Sequence, residues 1–121
     1  MIYQRGIRGA ITVDDNTSEA IKQATIELLS KIIELNSFNP QDISHIIFTL
    51  TKDLNAAFPA KFVRDELKWD QVPMMCFNEL DVENSLEKCL RILVVVNTEK
   101  KQNEIHHVYL KGATKLRPDI V

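Results

Sequence analysis

Apolar positions along the chain recur with two periods, and the points where one period yields to the other divide it into elements. Residues 2–13 read as an opening strand interrupted by Gly6 and Gly9. Alternation puts Gln4, Gly6 and Arg8 on one face and Tyr3, Arg5 and Ile7 on the other, so Arg8 lies beside a backbone clearing. Asp14-Asp15-Asn16 predicts a turn, and Asn16 with Glu19 three residues later predicts a capping-box start. Ile21, Ala24, Leu28, Ile32 and Leu35 then follow at helical spacing. Asn36 to Asn39 ends that helix, Pro40 begins a short turn, and Ser44 to Thr51 alternates as a strand with Ile46, Phe48 and Leu50 on one side.

Beyond the Lys52-Asp53-Leu54-Asn55 loop, Pro59 suits the first turn of a helix that ends near Trp69-Asp70. On it Lys61, Arg64 and Lys68 share a basic face, while Ala60, Val63 and Leu67 form an apolar one. A basic face of this kind is either solvated surface or one wall of an anion site. Val72 to Phe77 is short and extended around Pro73, which lacks a ladder donor and so belongs at a sheet edge. Asp81 is predicted to cap a helix carrying Val82, Leu86, Cys89 and Leu90. Arg91-Ile92-Leu93-Val94-Val95-Val96 is almost wholly apolar, the pattern of a strand buried on both faces. Thr98 to Glu104 is a charged connection, and Ile105 to Leu110 forms a last strand with His107 and Tyr109 on one face. Gly112 starts the exit. Strands alternating with helices give an α/β or α+β class around one mixed sheet.

The 121 residues make one domain, 1–121, able to bury about 65% of the unfolded surface. With 15 Lys+Arg against 17 Asp+Glu the net charge is -2, which argues against a general nucleic-acid binder. No apolar run reaches the length of a membrane span, and residues 1–6 lack the apolar core of a secretory signal, so a cytoplasmic protein is expected. Cys76 and Cys89 have neither CxxC spacing nor a neighbouring His cluster, so zinc and disulfides are not signalled and both thiols are expected reduced.

No glycine-rich phosphate loop follows the first strand, and neither HExxH nor GxSxG occurs. The adjacent His106 and His107 point to opposite faces of a strand and do not make a metal pair by alternation. Arg91 carries more weight, because a guanidinium at the mouth of an apolar strand needs an acceptor and cannot lose its proton. Its acceptor is either Glu79 or Asp81 in a structural ion pair, or a bound anion. Cys76 reads equally as a buried small side chain and Tyr109 as core, and Arg8 and Arg117 as surface residues near the two ends.

Taken together these segments resemble a known family. Arg5-Gly6-Ile7-Arg8-Gly9-Ala10-Ile11-Thr12-Val13, Phe58-Pro59-Ala60-Lys61 with Arg64, and Val72-Pro73 leading to Cys76 and Glu79 are followed by Lys88-Cys89-Leu90-Arg91, His107-Val108-Tyr109-Leu110 and Leu116-Arg117-Pro118-Asp119. Six segments in this order resemble the monofunctional chorismate mutases of the small trimeric, non-helical class, along nearly the whole chain. The resemblance implies an α+β subunit, a mixed β-sheet with helices packed on one side, in a barrel-like homotrimer with active sites between neighbours. It implies conversion of chorismate to prephenate by an intramolecular Claisen rearrangement in aromatic amino-acid biosynthesis, with no cofactor, no metal, no nucleic acid and no membrane partner.

By the same resemblance Arg91 donates to the ether oxygen and a carboxylate, Arg8 clamps a carboxylate, and Tyr109 adds a hydroxyl donor. Glu79 and Cys76 hold the ring hydroxyl. Phe58, Ala60, Lys61, Met74, Met75 and Leu116 line the pocket, with Arg64 and Arg117 drawing in the dianion at its rim. Two departures stand out. Met74-Met75 occupies positions where Val and Thr are common in the family, and the chain runs only to Val121 after Arg117-Pro118-Asp119, so closure by a C-terminal lid is not expected. The competing readings are a trimeric enamine and imine deaminase, whose Gly-Pro-Tyr pattern the sequence lacks, and a non-catalytic sensor of an aromatic-pathway acid.

Overall fold

The computed structural model describes residues 1–119; the expected end of the tail at Val121 lies outside the described residues. Its centre is a five-stranded mixed sheet in the order β3-β2-β4-β1-β5, built from β1 (Tyr3–Thr12), β2 (Ile43–Leu50), β3 (Met74–Asn78), β4 (Cys89–Thr98) and β5 (Val108–Leu110). β4 runs antiparallel to both β1 and β2, while β5 lies parallel to β1 and β3 parallel to β2. Two helices, α1 (Ser18–Asn36) and α2 (Pro59–Leu67), cover one face. The chain is therefore α+β, with its helices on one side of the sheet.

α1 starts one residue later than Asn16 predicts. Thr17 is the N-cap, its hydroxyl accepting from the Ala20 N–H at 3.1 Å. Asn16 is drawn instead to the loop before α2, where its Oδ1 accepts from the N–H groups of Asn55 and Ala56. α1 ends at Ser37, which takes φ 50° and donates its N–H to the Ile33 carbonyl. The buried stripe is Ile21, Ala24, Thr25, Leu28, Leu29, Ile32 and Asn36, whereas Leu35 is 40% exposed, contrary to its predicted place in the stripe. Leu28, Leu29 and Ile32 are fully buried and each contributes about 1.5–3 kcal/mol.

That stripe lies directly on β1. A Cβ on Gly9 would stand 2.9 Å from both Ile32 Cδ1 and Ile92 Cγ2, so glycine is required by the approach of α1. The clearing at Gly9 is thus filled from the helix side. α2 keeps the predicted Pro59 start and buries Pro59, Phe62 and Val63. Lys68 lies beyond its last turn at φ 61°, off the basic face that Lys61 and Arg64 share.

Residues 81–90 do not form a helix: 80–88 is an irregular loop, and Cys89 and Leu90 already belong to β4. Asn84 and Lys88 take positive φ values of 64° and 46°, which interrupt helical backbone, and the Lys88 N–H is held by both carboxylate oxygens of Asp53. Within one chain β4 is also buried on one side only. Leu90, Ile92, Val94 and Val96 are buried under the helices, whereas Arg91, Leu93 and Val95 are only half-buried on the opposite, uncovered face. The last strand is shorter than predicted, with His107 just before it.

Pro73 does mark an edge. Among the described residues β3 pairs only with β2, and the Pro73 carbonyl accepts from the Ile46 N–H at 2.9 Å.

Candidate active site

Strand pairing lays residues in rows across the sheet, and the row through Arg91 collects most of the candidate chemistry. Phe77 on β3, Thr49 on β2, Arg91 on β4, Ala10 on β1 and Tyr109 on β5 lie opposite one another in turn. Met75, Ile47, Leu93 and Arg8 form another row on the same face. The residues between them, among them Ile11, Phe48 and Ile92, are buried under the helices, so alternation projects both rows onto the uncovered face. Neighbouring strands stand about 4.8 Å apart, which keeps the Arg91 and Tyr109 backbones about 10 Å apart with only Ala10 between them.

Arg91 is the centre of the electrostatics. Its Nε stands 3.0 Å from Glu79 Oε1, so the ion pair that the sequence offers with Glu79 forms and the one with Asp81 does not. The same Nε is buried but lacks hydrogen-bond alignment with that oxygen. Glu79 Oε1 accepts instead from the Thr49 hydroxyl at 2.6 Å, and the Glu79 N–H donates to the Leu50 carbonyl at 2.8 Å. Among the described residues the Tyr109 hydroxyl is likewise buried without a hydrogen-bonded acceptor, with the Arg117 guanidinium beside it. Two orphaned donors on one face are the mark of a place built for an acceptor.

Apolar side chains complete this half of the site. Ala10, Cys89, Tyr109 and Ala113 form a small buried cluster against which Leu86 and Leu116 pack. A depression of about 580 Å³ beside it is lined by Leu86, Glu87, Arg91, Lys115 and Leu116. Burial pushes the Cys89 thiol up, with Arg91 pulling the other way, so it stays a neutral packing group.

Arg8 projects from this face, and its backbone N–H donates to His107 Nδ1 at 2.9 Å. That bond fixes Nδ1 as acceptor, and burial, then the cations of Arg8 and Arg117 and the neighbouring His106, hold the imidazole below its ordinary pKa. The segment is anchored from below: the buried Asn36 amide donates to the His106 carbonyl and accepts from its N–H, each at 2.8 Å. Arg117 has an acceptor of its own in Asp119, at 2.9 Å between Nη2 and Oδ2. Arg64 stands 3.8 Å from Asp65, both exposed.

The remaining candidates lie elsewhere. Met74 and Cys76 alternate to the helix side and pack against the main core. Cys76 shares a depression of about 630 Å³ with Leu54, Ala57, Phe58, Lys61 and Asn78. Burial pushes its thiol up, while the Ala60 backbone pulls the other way. Met75 points from the opposite face and is 61% exposed, and Phe58 is 71% exposed. One chain thus brings together Arg8, Glu79, Arg91, Tyr109 and Leu116 on one face, and Phe58, Ala60, Lys61 and Cys76 around another edge, without joining the two groups. Sequence reasoning missed Thr49, Leu86 and the acceptor role of His107. Alternation already put Thr49 opposite the Phe48 side, but only the register shows that it faces Arg91.

Among the described residues no group of three His, Cys, Asp or Glu is placed to hold a metal ion, and no helix is long and apolar enough to cross a membrane.

The chain is similar to known proteins over nearly its whole length. It is 47% identical over 116 residues to chorismate mutase AroH of Bacillus subtilis, covering 96% of this chain and 91% of that one. It is 45% identical over 117 residues to chorismate mutase AroH of Thermus thermophilus, covering 96% and 95% respectively. The solved structure of a chorismate mutase from Clostridium thermocellum superposes with a TM-score of 0.89 at 50% identity, over 92% of this chain and 98% of that one. The pattern of the family described as chorismate mutase type I matches residues 4–120, and the chain belongs to that family.

Proposed function

We propose that the protein converts chorismate to prephenate, without cofactor, in clefts between the subunits of a homotrimer. The observation that supports this reading is the row Thr49, Arg91, Ala10, Tyr109, in which two buried donor atoms make no hydrogen bond among the described residues, beside a carboxylate held at the same level.

The reaction asks little of its catalyst beyond shape and charge. As the C–O bond of the enol ether breaks, negative charge gathers on the ether oxygen and the enolpyruvyl fragment must lie over the ring. Arg91 supplies fixed donors that strengthen as that charge develops, so its contribution is larger in the transition state than in the ground state. Arg8 clamps a carboxylate and Tyr109 adds a hydroxyl at the same end. Glu79 takes the ring hydroxyl as acceptor. Holding the compact conformer contributes an orientation term of its own.

The second wall comes from a neighbouring subunit. Phe58, Ala60, Lys61, Met74 and Cys76 stand around an edge that the Arg91 face of the same chain does not meet, and Met75 with Phe77, 61% and 46% exposed, lies on the uncovered face available for packing. A ring of three copies gives each Arg91 face a Phe58-Lys61 edge, with Arg64 and Arg117 at the rim. Arg117 reaches substrate by exchanging Asp119 for a carboxylate. The free thiols of Cys76 and Cys89 suit the reducing cytoplasm in which we place the enzyme.

The test is loss of chorismate absorbance with purified protein in buffer containing a chelator, with prephenate confirmed by its acid conversion to phenylpyruvate. Saturable turnover is expected. A folded, assembled protein that binds chorismate without converting it would overturn the reading.

A further inference from the structure

We propose that Thr49 is a positioning residue for this reaction: its hydroxyl, rather than Arg91, holds Glu79, and so leaves the Arg91 guanidinium free for the substrate. The proposal rests on the assignment of Glu79 and Arg91 to the site. Thr49 sits on β2 directly opposite Arg91, half-buried, and its Oγ1 donates to Glu79 Oε1 at 2.6 Å. Arg91 Nε approaches the same oxygen to 3.0 Å but is misaligned and makes no hydrogen bond among the described residues.

The geometry is unusual for such neighbours. A guanidinium and a carboxylate this close, with side chains 32% and 20% exposed, ordinarily settle into a fork-to-fork pair that uses two donors and both oxygens. That pairing would silence both groups, since Arg91 would neutralise the carboxylate meant for the ring hydroxyl and spend donors meant for the ether oxygen. The Thr49 proton fixes Oε1, and the Glu79 backbone is fixed separately by its N–H bond to the Leu50 carbonyl. Oε2 is then the oxygen left for substrate. Because Glu79 is anchored by Thr49 and Leu50, the arginine can turn to the ether oxygen by giving up a misaligned 3.0 Å contact, without releasing the carboxylate.

The deciding experiment is a double-mutant cycle between Thr49 and Glu79, read in kcat and KM. Thr49→Val keeps the shape and removes the donor, and Thr49→Ser keeps the donor. We expect Thr49→Val to lower kcat about tenfold, the scale of a hydrogen bond to a charged group, and Thr49→Ser to stay within about twofold of wild type. In a Glu79→Ala background Thr49→Val should add nothing. Should the Val variant fail to assemble, Thr49→Ala removes the same donor and completes the cycle. Wild-type kcat in the donorless variants, or the same loss with and without Glu79, would overturn the role of Thr49 alone. A fully active Glu79→Ala protein would take down the site assignment and Thr49 with it.

Discussion

Cys76 and Arg91 project from opposite faces of one sheet. Cys76 lies against the helix-side core near Ala60, while Arg91 faces the uncovered side in the row that ends at Tyr109. On the proposed reading, a substrate touching both lies between two copies of the chain. The consequence is complementation. Arg91→Ala and Lys61→Ala subunits are each expected to be nearly inactive as homotrimers. Mixed in equal amounts through a denaturation and refolding cycle, they should recover about a quarter of wild-type activity, because most rings are mixed and each mixed ring has one cleft with both walls intact. Activity that stays at the level of the parents would place Lys61 and Arg91 in the same cleft wall.

Arg91→Ala should lower kcat by about 3 kcal/mol of transition-state stabilisation, roughly a hundredfold or more, the scale of losing an oxyanion-type donor. The fold should survive, because the neighbouring Glu79 keeps its Thr49 and Leu50 bonds. Steady-state kinetics alongside thermal melting checks both halves. Near-normal turnover in this variant would remove Arg91 from the mechanism.

Tyr109→Phe separates function from stability in the opposite sense. Among the described residues the Tyr109 hydroxyl is buried without a hydrogen-bonded acceptor, beside the Arg117 guanidinium, and an unsatisfied buried polar group costs about 1–3 kcal/mol. Removing it should leave the melting temperature of the empty enzyme unchanged or higher, while kcat/KM falls about tenfold through the lost donor to substrate. A variant that melts lower and binds chorismate as before would show the hydroxyl to be structural.

The fold was legible in the sequence wherever a local period carried it. Ile46, Phe48 and Leu50 announce β2 by alternation, Pro59 announces the start of α2, and Pro73 announces an edge. The 81–90 segment misled because Val82, Leu86, Cys89 and Leu90 fall at helical spacing although they do not share an element. What decides there is tertiary: Asp53 binds the Lys88 N–H and Thr51 Oγ1 accepts from the Cys89 N–H, which starts β4 where local pattern continues a helix. β4 looked buried on both faces because Leu93 and Val95 are apolar, yet their face is uncovered within one chain. The candidate residues came chiefly through family resemblance. Their division between two faces follows from register, which pairs Ala10 with both Arg91 and Tyr109 and is invisible to spacing along the chain.

His107 should make the folded protein sensitive to acid. Its pKa is lowered by burial first and then by Arg8, Arg117 and His106, so the folded protein holds the ring neutral at pH values where the unfolded chain, titrating near about 6.5, has taken a proton. Between those two pKa values the unfolded state binds more protons, and stability therefore falls as pH falls through the window and is unaffected above it. Protonation at Nδ1 would also turn the acceptor of the Arg8 N–H into a second donor facing it. His107→Asn keeps an acceptor oxygen near the Nδ1 position and removes the titration. Thermal midpoints compared from about pH 7.5 to about pH 5 should fall more steeply for wild type than for His107→Asn. Parallel curves would mean that His107 titrates alike in both states, and its bond to Arg8 would then carry no pH dependence.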